Sequence, residues 1–128
     1  MKFSSYITNT QVIDRAGKML QIMRQFIIDV VDRFNKNQFG KITLADDGEL
    51  QLEDYAGYGF CMIGDAQEYA NFVFDSSATV TLLTDVSANV VNIDADANLC
   101  IYNNGGTVYI KNRLGSSLDL MYEIHYLI

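Results

Sequence analysis

From Leu118 to Ile128 the chain alternates without a slip: Leu118, Leu120, Tyr122, Ile124, Tyr126 and Ile128 are interleaved with Asp119, Met121, Glu123, His125 and Leu127. A period of two held over eleven residues belongs to a β-strand with one dry face. At about 3.3 Å per residue such a strand crosses a whole small sandwich. Just before it, Leu99-Cys100-Ile101-Tyr102, the turn Asn103-Asn104-Gly105-Gly106 and Val108-Tyr109-Ile110 read as a hairpin. A strand of that length with one dry face implies that the rest of the chain supplies a sheet and a core.

From Lys41 onward the remaining sequence supplies strands. Ile42 and Leu44, the turn Asp46-Asp47-Gly48, then Leu50 and Leu52 read as a compact hairpin, with Gly48 as its left-handed residue. Tyr55 to Phe60 reads as a flexible, aromatic segment leading into a strand through Ile63. Further strands follow at Tyr69 to Phe74, Thr79 to Thr84 and Val90 to Ile93, separated by Gly64-Asp65, Asp75-Ser76-Ser77 and Asp94-Ala95-Asp96-Ala97. Eight or nine short strands with turn signals every eight to twelve residues predict an antiparallel β-sandwich, jelly-roll-like in its general type. The chain has no Pro, so Gly, Asn and Asp must make its turns.

The front of the chain has a different period. Val12, Ala16, Met19, Leu20, Met23, Phe26, Ile27, Val30, Val31 and Phe34 recur at three and four, which predicts a helix over Gln11 to Asn35 with a wide apolar stripe. Thr8-Asn9-Thr10 offers capping residues, Gly40 a stop, and Asp14–Lys18 and Asp29–Arg33 are i,i+4 ion pairs in the favourable direction. Ile13, Ile22 and Ile28 extend the apolar surface beyond the stripe, more than one small sheet covers. A bundle of copies, seamed by Val12, Met19, Met23, Phe26, Val30 and Phe34, would hide it. The alternative is a helix lying over the sheet of a monomer. A membrane-surface helix fits less well, because its polar face mixes both charge signs. The fold expected is therefore α+β, with a helical assembly segment over 1–40 and a β-sandwich over 41–128.

Charge and composition narrow the function. With 49% apolar and 20% charged residues in 128, the chain suits a folded domain with a real core. The net charge of −7 splits into +3 over residues 1–40 and −10 over 41–128. The acidic part argues against nucleic acid as a partner. Met1-Lys2-Phe3-Ser4-Ser5-Tyr6 lacks the apolar stretch of a secretory signal, and no run reaches membrane-spanning length. Cys61 and Cys100 fall inside apolar strands without C-x-x-C spacing, as buried free thiols of a reducing compartment do.

The search for chemistry returns little. His125 is the single histidine, next but one to Glu123, with no nucleophile in a recognisable motif. Asp94-x-Asp96-x-Asn98 opens like a calcium loop, but Leu99 replaces the turn glycine and Gly105 the closing glutamate. Gly57-x-Gly59 has no third glycine and no helix behind it, so no phosphate cradle follows. Tyr55, Tyr58 and Phe60 are the candidate ligand contacts, as rings that could stack on a sugar. Neither cofactor nor metal is expected, and no enzyme activity. Lys111-Asn112-Arg113 is a basic patch that could pair with a neighbour's carboxylates or simply be solvated.

The run Asn98-Leu99-Cys100-Ile101-Tyr102-Asn103-Asn104-Gly105-Gly106-Thr107-Val108-Tyr109-Ile110-Lys111-Asn112-Arg113-Leu114-Gly115, closing on an alternating strand, resembles C-terminal β-domains of small tailed-phage virion proteins. These are head-fibre, decoration, collar and tail-fibre components. The likeness spans about thirty residues and carries over no functional residue. It implies a structural protein of a bacteriophage particle, made in the host cytoplasm and located in the virion. It would be a homotrimer with other virion proteins as partners, decorating a capsid or tail. The chain departs from the type in lacking a long fibrous shaft, which puts a full receptor-binding fibre in doubt. The alternative reading is a carbohydrate- or receptor-binding β-sandwich module, with a surface glycan as ligand.

Overall fold

A computed structural model describes residues 9–84 and 86–127, with helix side chains described over 16–31 and at Lys36. The chain divides into two units, residues 1–35 and 36–128. In the first, α1 spans Asn9–Lys36. The capping residue Thr8 and the side chains of Asp14 and Arg33 lie outside the described residues, while Gln25 donates to Asp29 at 2.9 Å. Gly40 does not stop the helix. It falls inside the first strand, which begins at Gln38, so 38–40 belong with the β-domain.

Among the described residues the second unit has nine strands: β1 Gln38–Leu44, β2 Glu49–Gln51, β3 Ala56–Ile63, β4 Glu68–Phe74, β5 Val80–Leu82, β6 Val90–Val91, β7 Leu99–Asn104, β8 Thr107–Asn112 and β9 Leu118–Leu127. They form a five-stranded sheet, β1-β9-β3-β4-β5, and a four-stranded sheet, β2-β8-β7-β6. Together with α1 this is the expected α+β, sandwich-like architecture. β9 pairs with β1 on one side and β3 on the other. Its inward residues Leu120, Ile124 and Tyr126 join Leu44, Ile63, Phe72, Leu99, Ile101 and Ile110 in one core drawn from both sheets. In the smaller sheet β2 pairs with β8. All neighbours run antiparallel except the short β6–β7 pair.

Two local expectations are corrected. Residues 42–52 are not a hairpin: β1 pairs with β9, β2 pairs with β8, and residues 45–48 form a corner from one sheet to the other. The left-handed residue there is Asp47, at φ 65°, not Gly48. Gly48 is needed because a Cβ would meet the Ala45 carbonyl oxygen at 2.9 Å. The segment 56–60 is not flexible either. It is the first half of β3, beside β9 in the middle of the larger sheet. Gly57 and Gly59 point into the core, where the rings of Phe74 and Phe72 take the space of their missing side chains. The hairpin β7–β8 forms as read, turning through Gly105 and Gly106 at φ 65° and 90°, a turn open to glycine at both positions.

Two buried polar residues hold the connections. Asn112, fully buried, donates from Nδ2 to the carbonyls of Leu44 (3.1 Å), Ala45 (3.3 Å) and Ser116 (2.8 Å). Its Oδ1 accepts from the Leu114 amide at 3.1 Å. Glu68, 5% exposed, accepts from the Ser87 hydroxyl, from the Asn89 amide at 3.2 Å and from Asn89 Nδ2 at 2.8 Å, fastening Ser87 and Asn89 to β4. Burial pushes the Glu68 carboxyl up, but the three hydrogen bonds outweigh it and hold the group below its ordinary value of 4.5.

A group depressed in the folded state stabilises the fold above its unfolded value and loses that contribution as pH falls through its folded value. The sandwich should therefore lose stability as pH drops below about 4.5. Glu68→Gln should cost about 1–3 kcal/mol at pH 7, because Gln places a donor where Ser87 and Asn89 also donate. It should also flatten that acid-side loss. Urea unfolding at pH 7 and pH 4 checks both. A variant that keeps the full acid sensitivity would assign it to other carboxylates.

Candidate interaction surfaces

The described part of the α1 stripe is bare. Met19, Met23, Phe26 and Val30 are 64%, 56%, 68% and 50% exposed, and Leu20, Ile22, Ile27, Ile28 and Val31 are exposed with them. The side chains of Val12 and Phe34, the other two seam candidates, lie outside the described residues. Ala16, Met19, Met23, Phe26 and Val30 recur at three, four, three and four, the a/d spacing of a coiled-coil seam. Leu20 and Ile27 sit one step beyond Met19 and Phe26, in the e position, and widen the seam past the two-residue width of a dimer. Read as one broad stripe, the sequence hides this heptad. Spacing alone could have found it.

The two outward faces of the sandwich differ in kind. On the larger sheet, Phe39, Tyr58, Tyr69, Val73 and Met121 point outward and are exposed, with Phe60 and Met62 partly covered between them. Register places Phe39, Glu123 and Phe60 side by side across β1, β9 and β3, and Met121 beside Met62 and Tyr69. An open recess of about 510 Å³ lies among Phe39, Gly40, Lys41, Met121, Tyr122 and Glu123. The smaller sheet instead turns Glu49, Gln51, Thr107, Tyr109 and Lys111 outward. Its central strand β7 is covered by residues 92–98, where Cys100 donates from Sγ to the Ala95 carbonyl at 3.2 Å.

The candidate ligand residues separate. Tyr58 and Phe60 share the outer face of β3. Tyr55 turns the other way, edge-on to Tyr126 at the margin of the core. Tyr58 lies flat against His125, with ring centroids 4.9 Å apart and planes 16° apart, so one of its ring faces is already covered. His125 Nε2 also meets Glu123 Oε1 at 2.9 Å, on an open sheet face rather than in a cleft.

The basic patch and the calcium-like loop turn out to answer each other. Arg113 reaches Asp94 at 3.1 Å and Asp47 at 3.2 Å, and Lys111 reaches Asp94 at 3.3 Å. Burial raises the Asp94 carboxyl, but Lys111 and Arg113 outweigh this and hold it below the carboxylate range. Asn98 donates to the Asp96 backbone carbonyl at 2.7 Å, making a turn. The cations take up the carboxylates a metal would use, and among the described residues no group of metal-ligating side chains converges. Asn112, between the two cations, serves the core instead.

Cys61 and Cys100 are buried free thiols, and burial pushes Cys61 up to about 12, far from the reactive range. Among the described residues no helix is long and apolar enough to cross a membrane. Comparison with protein-family models, curated proteins and solved structures finds no match to this chain.

Proposed function

We propose that this chain is a non-enzymatic structural protein that assembles as a trimer through its helix, as a component of a bacteriophage particle. One observation carries the assembly reading: the continuous apolar seam of Ala16, Met19, Met23, Phe26 and Val30, flanked by Leu20 and Ile27, is exposed along its described length. A stripe of this breadth left in water favours association, at about 1.5–3 kcal/mol for each large side chain buried. Its a, d and e breadth suits three helices better than two. The phage setting rests on the resemblance of residues 98–128 and on the order of helix followed by sandwich. The carbohydrate reading is weaker, because the Tyr58 face turned to His125 is closed to a sugar ring and Tyr55 is on another side.

Placing two carboxylates in the seam tests this. Met23→Glu/Phe26→Glu in the full chain should sediment as a monomer and keep the β-sheet circular dichroism of the unaltered protein. An unchanged sedimentation profile would remove the helix as the means of association.

A further inference from the structure

We infer that Asn104-Gly105, at the tip of the β7–β8 hairpin, is a site of spontaneous covalent modification, with water as the only co-reactant and an isoaspartyl linkage among its products. The inference is independent of the assembly reading. Asn104-Gly105 is the one Asn-Gly pair in the sequence. In such a pair the glycine amide nitrogen, as it gives up its proton, adds to the asparagine side-chain carbon Cγ, and glycine has no Cβ to hinder the approach. The bond from Gly105 N to Asn104 Cγ forms, the Cγ–Nδ2 bond breaks, and the side-chain amide leaves as ammonia with that proton. Water then opens the five-membered imide at either of its carbonyls. One opening gives aspartate, the other isoaspartate, in which the main chain runs through Cβ and Cγ. No electrons are exchanged.

The hairpin tip leaves both reacting groups free. Asn103 to Gly106 are exposed. Among the described residues neither the Asn104 carboxamide nor the Gly105 amide has a hydrogen-bond partner in the protein. Apart from its chain neighbours, nothing stands within 4 Å of where a Gly105 Cβ would lie. The rival positions are held instead. Asp47-Gly48 is the matching Asp-Gly pair, but the Gly48 amide donates to the Ala45 carbonyl at 2.8 Å and the Asp47 carboxylate accepts from Arg113 at 3.2 Å. The Asn103 side chain accepts from the Gly106 amide at 2.9 Å and donates to the Ser77 carbonyl at 3.4 Å. Asn112 is locked in the core.

The product does not fit the turn. An extra backbone carbon lengthens a two-residue loop whose ends, Asn104 and Thr107, are paired across the ladder. The new carboxylate also joins an acidic neighbourhood: Asp54 accepts from the Thr107 hydroxyl at 3.1 Å, and Gly106 lines a small recess with Glu53, Asp54 and Asp75. Like charges brought together there repel.

The test incubates the full, folded chain at mildly alkaline pH and follows each asparagine by peptide mass spectrometry, with isoaspartyl methyltransferase labelling of the products. Asn104 should convert about ten-fold or more faster than any other asparagine, as expected of an open loop tip beside held positions. Asn104→Gln should abolish the isoaspartyl label and keep the circular dichroism of the unaltered chain. The converted chain, separated by charge, should melt several degrees below the unconverted one. Retention of Asn104 in the folded chain while the urea-unfolded chain converts would show that the hairpin locks the pair, and would overturn the inference. Faster conversion at another asparagine, or at Asp47, would overturn it too.

Discussion

Replacing Asn112 with Ala should lower the stability of the sandwich by about 3–5 kcal/mol, the largest loss expected from any single polar residue here. One fully buried amide serves the end of β1, the corner at Ala45 and the turn before β9, through three donated bonds and one accepted. Truncation takes a donor from the carbonyls of Leu44, Ala45 and Ser116, of which Ala45 keeps the Gly48 amide, and leaves the Leu114 amide without its acceptor, at about 1–3 kcal/mol for each buried group left unpaired. Asn112→Asp should fare no better: it keeps an acceptor for Leu114 but turns carboxylate oxygens toward three carbonyl oxygens. Urea midpoints at one fixed protein concentration measure both variants, since assembly makes stability concentration-dependent. A loss under 1 kcal/mol for Asn112→Ala would mean that water takes over the network.

Gly57→Ala should be nearly as damaging, at about 3 kcal/mol, and worse than Gly59→Ala at about 1–2 kcal/mol. Both glycines face the core, but their neighbours differ. At Gly57 the added methyl would overlap the backbone carbonyl oxygen of His125 on β9, which cannot move without breaking the β3–β9 register. At Gly59 it would meet the ends of Phe72 and Ile124 at 2.5 Å and 2.7 Å, and side-chain ends can shift. Thermal melts of the two variants give the order. The reverse order would place the rigid contact at Gly59.

Sequence periodicity was most legible where one strand decided its own facing. β9 reads correctly from Leu118 onward because each inward position is apolar, and the β7–β8 turn because two glycines permit it. Pairing was less legible. Ile42–Leu44 and Leu50–Leu52 alternate as a hairpin would, yet alternation fixes which face a residue takes and not which strand lies beside it. β9, 74 to 86 residues away in sequence along the paired positions, is the neighbour β1 takes. Asn112 and Glu68 were missed for a related reason. Each is in phase with inward residues, Val108 and Ile110 on β8 and Ala70, Phe72 and Phe74 on β4, and a polar residue in an inward slot is the signal that marks a buried connector. The carboxylates of 94–96 suggested a cation loop because sequence does not show that Lys111 and Arg113 fold over them.

The interaction surfaces divide the same way. Helical spacing displays the apolar stripe of α1 in full, whereas the apolar outer face of the larger sheet is assembled from residues of four strands and becomes visible only once β1, β9, β3 and β4 are side by side. Sedimentation equilibrium of the full, unaltered chain tests the central claim most directly. Self-association through the bare stripe of α1 requires a mass that is a multiple of 14.4 kDa, three-fold for the trimer, held down to micromolar concentration. A single 14.4 kDa species at every concentration would contradict it.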